Sequence, residues 1–461
     1  MVIPKSLDMR NHSKGGKVMK LAVFGANEIG LTASAVFASH GYDVVCTDEN
    51  RDQITALNSG ELPIHEEGLS ELITEAKSVG KLSYSVNRLT AASEADYLLF
   101  TEAIPVDENR KPDLSAFYRF IRQIAITVHT HKTFIIKSTV PPGTASKIEA
   151  ILLEQGLTGR SYDVVSNPDF IRKGSAVKDF MFPSRVIIGT SSLRSCRLME
   201  TFYAPLSNSL YYMDHSSAEL MRYAYHTYQS MKVSCLTMIA GVAESYGADV
   251  EAIQSALPSE PRSDDHSLHP VSCFLGFKKP VEAASFRSMI KESSSANRML
   301  NALEGIDQYH PELLTHKLKD FLGTLQGTTI AIFASSTLKA LPALPPSEVV
   351  INRLEEEGAV VKTFDPNKQD IQNKESASSL MYETVKDCDA LLLMTEILSL
   401  KHMNWERVVS GLKLPLLVDG HNLFTLDEMR KIANTYDLIY CSIGRPNIYK
   451  GLGSISVQSV Q

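Results

Sequence analysis

The chain of 461 residues carries 46 Lys and Arg against 53 Asp and Glu, a formal charge of −7, with 21% charged and 44% hydrophobic residues. At roughly 150 residues per domain this length holds two or three cores, which excludes a disulfide mini-scaffold and a single small binding module. The mildly acidic balance gives no nucleic-acid footprint, and no apolar run reaches the ~18–20 residues of a membrane span.

Residues 1–18 (MVIPKSLDMRNHSKGGKV) are basic, without apolar period or secretory h-region, and read as a loose extension or the product of an upstream start codon. From Leu21 short apolar runs alternate with helical stretches: LAVFG, a helix near 28–40, DVVCTD, helices through 50–78, then ADYLLFT, TFIIKST, DVVSNP and RVIIGT. Apolar runs without polar alternation, separated by helices, predict a parallel sheet covered on both faces, here a doubly wound α/β domain over 19–214. Residues 215–324 predict an all-helical middle. It opens with one helix over about 216–247, capped by Ser216 or Ser217, in which Leu220, Ala224, Tyr228, Met231, Cys235, Met238 and Val242 form an apolar face. From TIAIFA onward, through VVKTFDP, DALLLMT, LPLLVDG and LIYCSIG, a second doubly wound domain spans 325–461. The fold class is therefore α/β, two Rossmann-like domains joined by a helical domain. The six cysteines lie far apart with no C-x-x-C pair, and read as reduced thiols mostly in cores, which suits a cytoplasmic protein.

The turn GANEIG supplies Gly25, Asn27, Ile29 and Gly30 between the first strand and helix, where a dinucleotide fingerprint belongs, and Asp48 ends the next strand 23 residues after Gly25. The middle glycine of G-x-G-x-x-G, which lets backbone approach a pyrophosphate, is Asn27, whose side chain is expected to project into that volume. An ordinary strand–turn–helix stands as the alternative.

Further landmarks are LNSGELPIHEEGL (57–69), KSTVPPGT (137–144), VSNPDFIRKGSAVKDFMFPSRVIIG (165–189), SAEL (217–220), FDP (364–366), LLLMTE (391–396), DGHNLF (419–424) and YCSIGRP (440–446). In this order they resemble the UDP-glucose and GDP-mannose 6-dehydrogenases, most nearly the UDP-glucose 6-dehydrogenases. The resemblance implies oxidation of a nucleotide-sugar C6 alcohol to the carboxylate with NAD, a homodimer made by the helical middle, and a C-terminal domain for a UDP-glucose-like nucleotide sugar. That chemistry needs a base, a thiolate to trap the aldehyde and an activated water.

Against the family's pattern the reactive positions depart. An ungapped match of HPVSCFLGFKKPVEA (269–283) to the nucleophile block keeps Pro270, Phe274, Gly276 and Pro280, sets Lys278 at the nucleophile and Glu282 at the aspartate, and leaves Cys273 five residues early. Asp169 and Lys173 replace two glutamates, while Arg222 and His226 replace a lysine and an asparagine one helical turn apart. Arginine stays protonated and cannot act as a base. Glu102, Ala103, Ile104 and Pro105 replace V-G-T-P, placing a carboxylate and a branched chain across the cofactor's path. In the third domain SSTLKALPALPPS (335–347) lacks the family's carboxylates and arginine, with Lys339 as a remnant. Asp48, Lys137, Thr139, Asn167, Arg172 and Arg445 are retained. The resemblance gives Thr139 to catalysis and cofactor, and Asn167, Arg172, Lys339 and Arg445 to substrate; capping and domain pairing are the structural alternatives. Two readings follow: an NAD-dependent nucleotide-sugar dehydrogenase with impaired or altered chemistry, using His226 or Asp169 as base, or a non-catalytic relative that pairs with itself or with an active paralogue.

Overall fold

The structure is a computed structural model and describes residues 18–64, 66–107, 111–172, 174–206, 209–257, 286–288, 290, 294–334, 346–366, 374–395 and 398–450. These divide into two compact units: the first ends at Tyr225 and adds 286–288, and the second takes the remainder from His226 on.

The first unit runs β1 (Lys20–Phe24), α1 (Glu28–Ser39), β2 (Asp43–Thr47), α2 (Arg51–Ser59), α3 (Leu69–Ser78), β3 (Leu82–Ser85), α4 (Arg88–Glu94), β4 (Tyr97–Phe100) and α5 (Ser115–Thr127). It continues with β5 (Lys132–Ile136), α6 (Thr144–Glu154), β6 (Tyr162–Ser166), α7 (Ala176–Met181), β7 (Val186–Gly189), α8 (Leu193–Tyr203) and β8 (Leu210–Met213). The sheet order is β3-β2-β1-β4-β5-β6-β7-β8. The chain turns back on either side of β1, which opens a crevice at its C-terminal end. The expected parallel sheet holds through β6, but β7 pairs antiparallel with β6, because the 167–185 connection carries only the six-residue α7 and does not cross the sheet. Strands β3 and β8 are additions to the expected set. Both lie at sheet edges, and LSYS alternates buried and exposed residues rather than forming an apolar run.

Two apolar cores flank this sheet. On one side α1 is buried from Gly30 to Ala38, which small residues permit, and Phe37 packs against Phe202 with ring centroids 4.6 Å apart. On the other, Phe24, Phe100, Phe117, Phe120 and Phe134 form an aromatic cluster. A side-chain carbon at Gly30 would stand 1.8 Å from the Gly25 carbonyl oxygen, so glycine is obligatory where α1 meets the strand.

The helical middle is α9 (His215–Ser245), α10 (Val250–Ala256) and α11 (Ser295–Leu322). Helix α9 is continuous, as its periodicity predicts, but Asp214 caps it rather than Ser216 or Ser217. Its carboxylate accepts from the Ser217 backbone N–H at 2.9 Å and the Ser217 hydroxyl at 2.6 Å. The stripe read from the sequence is the outward face: Leu220, Ala224, Tyr228, Cys235, Met238 and Val242 are exposed and Met231 half-buried. The inward face is instead Ala218, Arg222, Tyr223, Gln229, Val233, Leu236, Ala240 and Ala243.

The second doubly wound domain runs β9 (Thr329–Ala334), α12 (Pro346–Glu356), β10 (Val360–Phe364), α13 (Lys374–Val385), β11 (Ala390–Met394), α14 (Trp405–Gly411), β12 (Leu416–Asp419), α15 (Leu426–Tyr436) and β13 (Ile439–Ser442). The five strands are those read from the sequence, all parallel, ordered β10-β9-β11-β12-β13. Of the cysteines, Cys46, Cys388 and Cys441 are buried, Cys196 is half-buried and Cys235 exposed, all as free thiols. Among the described residues no helix is long and apolar enough to cross a membrane.

Candidate functional site

The crevice at the end of β1 is the first candidate site. Gly25 takes φ +108°, and a side-chain carbon there would stand 3.0 Å from the Glu102 backbone nitrogen. This tightness is what the first glycine of a dinucleotide turn provides. Asn27 does not project into the cleft. It is the N-cap of α1: its Oδ1 accepts from the Gly30 N–H at 3.0 Å, and its Nδ2 donates to the Thr101 carbonyl. Asp48 accepts from the Ala26 N–H at 2.8 Å and the Asn50 N–H at 2.9 Å, while Gln53 Nε2 donates to the Ala26 carbonyl at 2.6 Å. The turn thus keeps the shape for a dinucleotide, and two of its N–H donors are already held, Ala26 by the Asp48 carboxylate and Gly30 by the Asn27 amide. Ile29 is half-buried on the first turn of α1.

Glu102 sits beyond β4 and pairs with Arg88, which also pairs with Glu49. Burial pushes the Glu102 carboxyl up, Arg88 opposes this, and Glu49 and Asp48 push it up further. Ile104 is half-buried and packs against the aromatic core.

A second cluster gathers where β5 and β6 end. Lys137 donates to Asn167 Oδ1 at 3.3 Å, and Tyr203 donates to the same oxygen at 2.6 Å. Asn167 Nδ2 donates to the Ile187 carbonyl at 2.8 Å, so this asparagine ties three strands together. Burial holds the Lys137 ammonium down to about 8, with Asp169 pulling it up and Arg222 pushing it down. Arg222 reaches from α9 to Asp169, with Nη1 3.3 Å from Oδ2 and a further bond to the Asp169 carbonyl, and both side chains are 2% exposed. Beside them a small cleft of about 10 Å³, room for about one water, is lined by Ser138, Thr139, Val140, Ser166, Glu219 and Arg222.

Two carboxylates that position this cluster were not singled out in the sequence. Glu219 accepts from the Gly143 N–H at 2.6 Å and the Ala145 N–H at 2.7 Å, supplying α6 with the cap it lacks. Burial raises its carboxyl, and those N–H groups, Ser166 and His215 counter the rise. Glu66 accepts from the Gly174 N–H at 2.7 Å and the Ala176 N–H at 3.0 Å, pinning the loop that bears Asp169. Both lie in quoted segments, but their partners are backbone groups, which sequence does not display.

Other candidates divide between these sites and the rest. Arg172 is half exposed and forked onto Asp179, at 2.8 Å from Oδ1 and 3.0 Å from Oδ2. Thr139 is half-buried at the rim of the cleft, and His226 is half-buried on α9, four residues beyond Arg222. In the second unit Arg445 is fully buried. It donates to Glu251 at 3.1 Å, the Phe424 carbonyl at 3.0 Å, Ser442 at 3.1 Å and the Tyr440 hydroxyl at 3.0 Å. Tyr440 in turn donates to Asp419 at 2.8 Å. Arg445 is thus fully engaged by groups of the second unit itself. Lys173, Cys273, Lys278, Glu282 and Lys339 lie outside the described residues.

Three family models match the chain: the NAD binding domain of the UDP-glucose/GDP-mannose dehydrogenase family over 19–207, its central domain over 216–309 and its UDP binding domain over 345–426. A UDP-glucose 6-dehydrogenase of Bacillus subtilis is 28% identical over 444 residues, covering 93% of this chain and 94% of that one. One of Rhizobium meliloti is 29% identical over 451 residues, covering 93% and 100%. The solved UDP-glucose dehydrogenase of Pyrobaculum islandicum matches with a TM-score of 0.77 and 23% identity over 90% of this chain and 97% of its own. That likeness carries the fold. NAD is the cofactor this domain set implies, and the turn around Gly25, with Asp48 at the end of β2, has the shape to hold it. By its three domains in order, the chain belongs to the UDP-glucose/GDP-mannose dehydrogenase family.

Proposed function

We propose that this chain is a nucleotide-sugar-binding member of the family whose oxidation of the sugar C6 alcohol does not reach the carboxylate. The observation that carries this reading is the buried Asp169–Arg222 pair. The two residues stand where the resemblance puts the family's glutamate and lysine. A carboxylate beside a guanidinium is a weak base, and a guanidinium is none. NAD, when bound, supplies the hydride acceptor. The chain's own residues set the ribose carboxylate at Asp48, keep the close turn at Gly25 and Gly30, and place the Thr139 hydroxyl at the rim of the small cleft. By the ungapped match Lys278 stands at the nucleophile, and without a thiol there the aldehyde has no covalent route to the second oxidation.

The outward apolar face of α9 supports an assembly through the helical middle, as a homodimer or with an active paralogue, since a stripe from Leu220 to Val242 needs a partner surface. In this reading 19–214 serves the dinucleotide, 215–324 the assembly and 325–461 the nucleotide sugar, in the cytoplasm, where thiols stay reduced.

The test is NADH absorbance and product analysis with purified protein, NAD and UDP-glucose. The expected outcome is no UDP-glucuronate and at most slow aldehyde formation. Two NADH per sugar at a rate abolished by Cys273→Ser would overturn the reading, and activity lost in Lys278→Ala but not in Cys273→Ser would point to new chemistry at that position.

A further inference from the structure

Arg88 is 8% exposed, yet it has no apolar reason to be inside. It opens α4, and its guanidinium reaches Glu49 beyond β2 and Glu102 beyond β4. Because β1 lies between β2 and β4, a group that bridges their ends spans the end of β1, where the strand order reverses and ligands of such sheets bind. The guanidinium carbon lies 5.8 Å from the ring centroid of Phe24, the last residue of β1, and 3.7 Å from that of Phe120. Stacking holds its plane while leaving its edge for hydrogen bonds.

Two of its donor groups go to Glu49 and Glu102, and Nε is buried with no partner among the described residues. Nε is sealed from solvent, so a ligand can exchange only at the two Nη groups now held by Glu49 and Glu102. Glu49 is 79% exposed and well solvated, so Glu102, 26% exposed, is the anion that depends on Arg88. Its backbone abuts Gly25, on the turn where a pyrophosphate would approach. We propose that Arg88 is the anion-receiving residue of this crevice, suited to the diphosphate of a nucleotide, and that Glu102 occupies its guanidinium until such a ligand displaces it. Arginine matches phosphate oxygens in the same forked geometry that it offers a carboxylate, so the exchange swaps one charge-assisted pair for another. A carboxylate left beside the incoming diphosphate opposes it, which makes Glu102 a brake on affinity.

The proposal rests on reading the crevice as a nucleotide site, and its probe is ADP, which carries neither nicotinamide nor sugar. ADP is titrated by calorimetry into the full chain, Glu102→Gln, Arg88→Gln and the double variant. Removing one charge near the diphosphate should tighten ADP binding about ten-fold in Glu102→Gln. The double variant should lose that gain. ADP affinity in Glu102→Gln equal to or below wild type, or a gain that persists in the double variant, overturns the proposal; a mere structural strut would give the first result, with a lower melting temperature. Should Arg88→Gln not fold, the salt series decides: the gain must shrink between about 0.05 and 0.5 M salt, and a gain unchanged over that range overturns the proposal. NADH formation by the wild type judges the dehydrogenase reading separately, since ADP binding is independent of it.

Discussion

Asp169 and Arg222 meet twice, once side chain to side chain at 3.3 Å and once through the Asp169 carbonyl, with both side chains 2% exposed. The second contact fixes the backbone of the loop as well as the charge, so the pair joins the NPDF loop to α9 whatever its chemistry. Removing one partner leaves a buried charge uncompensated. Arg222→Met is expected to destabilise the first unit by about 3–5 kcal/mol, and Asp169→Leu in the same chain to recover most of it. Denaturant unfolding of the three variants checks this, and equal losses in the single and double variants would refute it.

Lys137 gives a pH signature. Its folded-state value of about 8 lies below the ordinary lysine value near 10.5, so between these two the unfolded chain binds more protons. Stability from this group therefore rises with pH across that window, by about 3 kcal/mol at most, and below pH 8 the burial penalty is present in full. The difference in unfolding free energy between wild type and Lys137→Met should move in favour of wild type from pH 8 to 10.5. A flat difference would show that the ammonium is better solvated than its burial suggests.

Asn27 holds the Gly30 N–H, one of the donors a pyrophosphate would use at the start of α1. Asn27→Gly should strengthen NAD binding in calorimetry at a stability cost of a few tenths of a kcal/mol, whereas Asn27→Ala should cost about 1 kcal/mol by leaving the helix uncapped. No gain in affinity with Gly would show that this donor does not reach the cofactor.

The outward face of α9 should carry self-association. Tyr228→Glu and Met238→Glu, at positions 52% and 57% exposed, are expected to yield monomers by light scattering at micromolar concentration with little change in the melting temperature of the isolated chain. Wild type that is monomeric under these conditions would rule the interface out.

The strands β1, β2, β4 to β7 and β9 to β13 and the length of α9 were legible in the sequence because they depend on local composition: apolar runs for buried strands, three-and-four spacing for the helix. The landmark segments from KSTVPPGT to YCSIGRP were legible for the same reason and carried the family. Tertiary structure decided the rest. Period gives a face but not its direction, so the stripe from Leu220 to Val242 reads alike whether it is turned inward or outward. The edge strands β3 and β8 lack the apolar run because β3 buries only alternate residues and β8 buries none fully. Asn27 was expected to project into the cofactor's volume and instead caps α1, and Arg445, read as a substrate candidate, donates to partners within its own unit. A side chain's partners are groups tens or hundreds of residues away, as the Glu251 carboxylate for Arg445 and the Gly143 N–H for Glu219, and no local pattern records them.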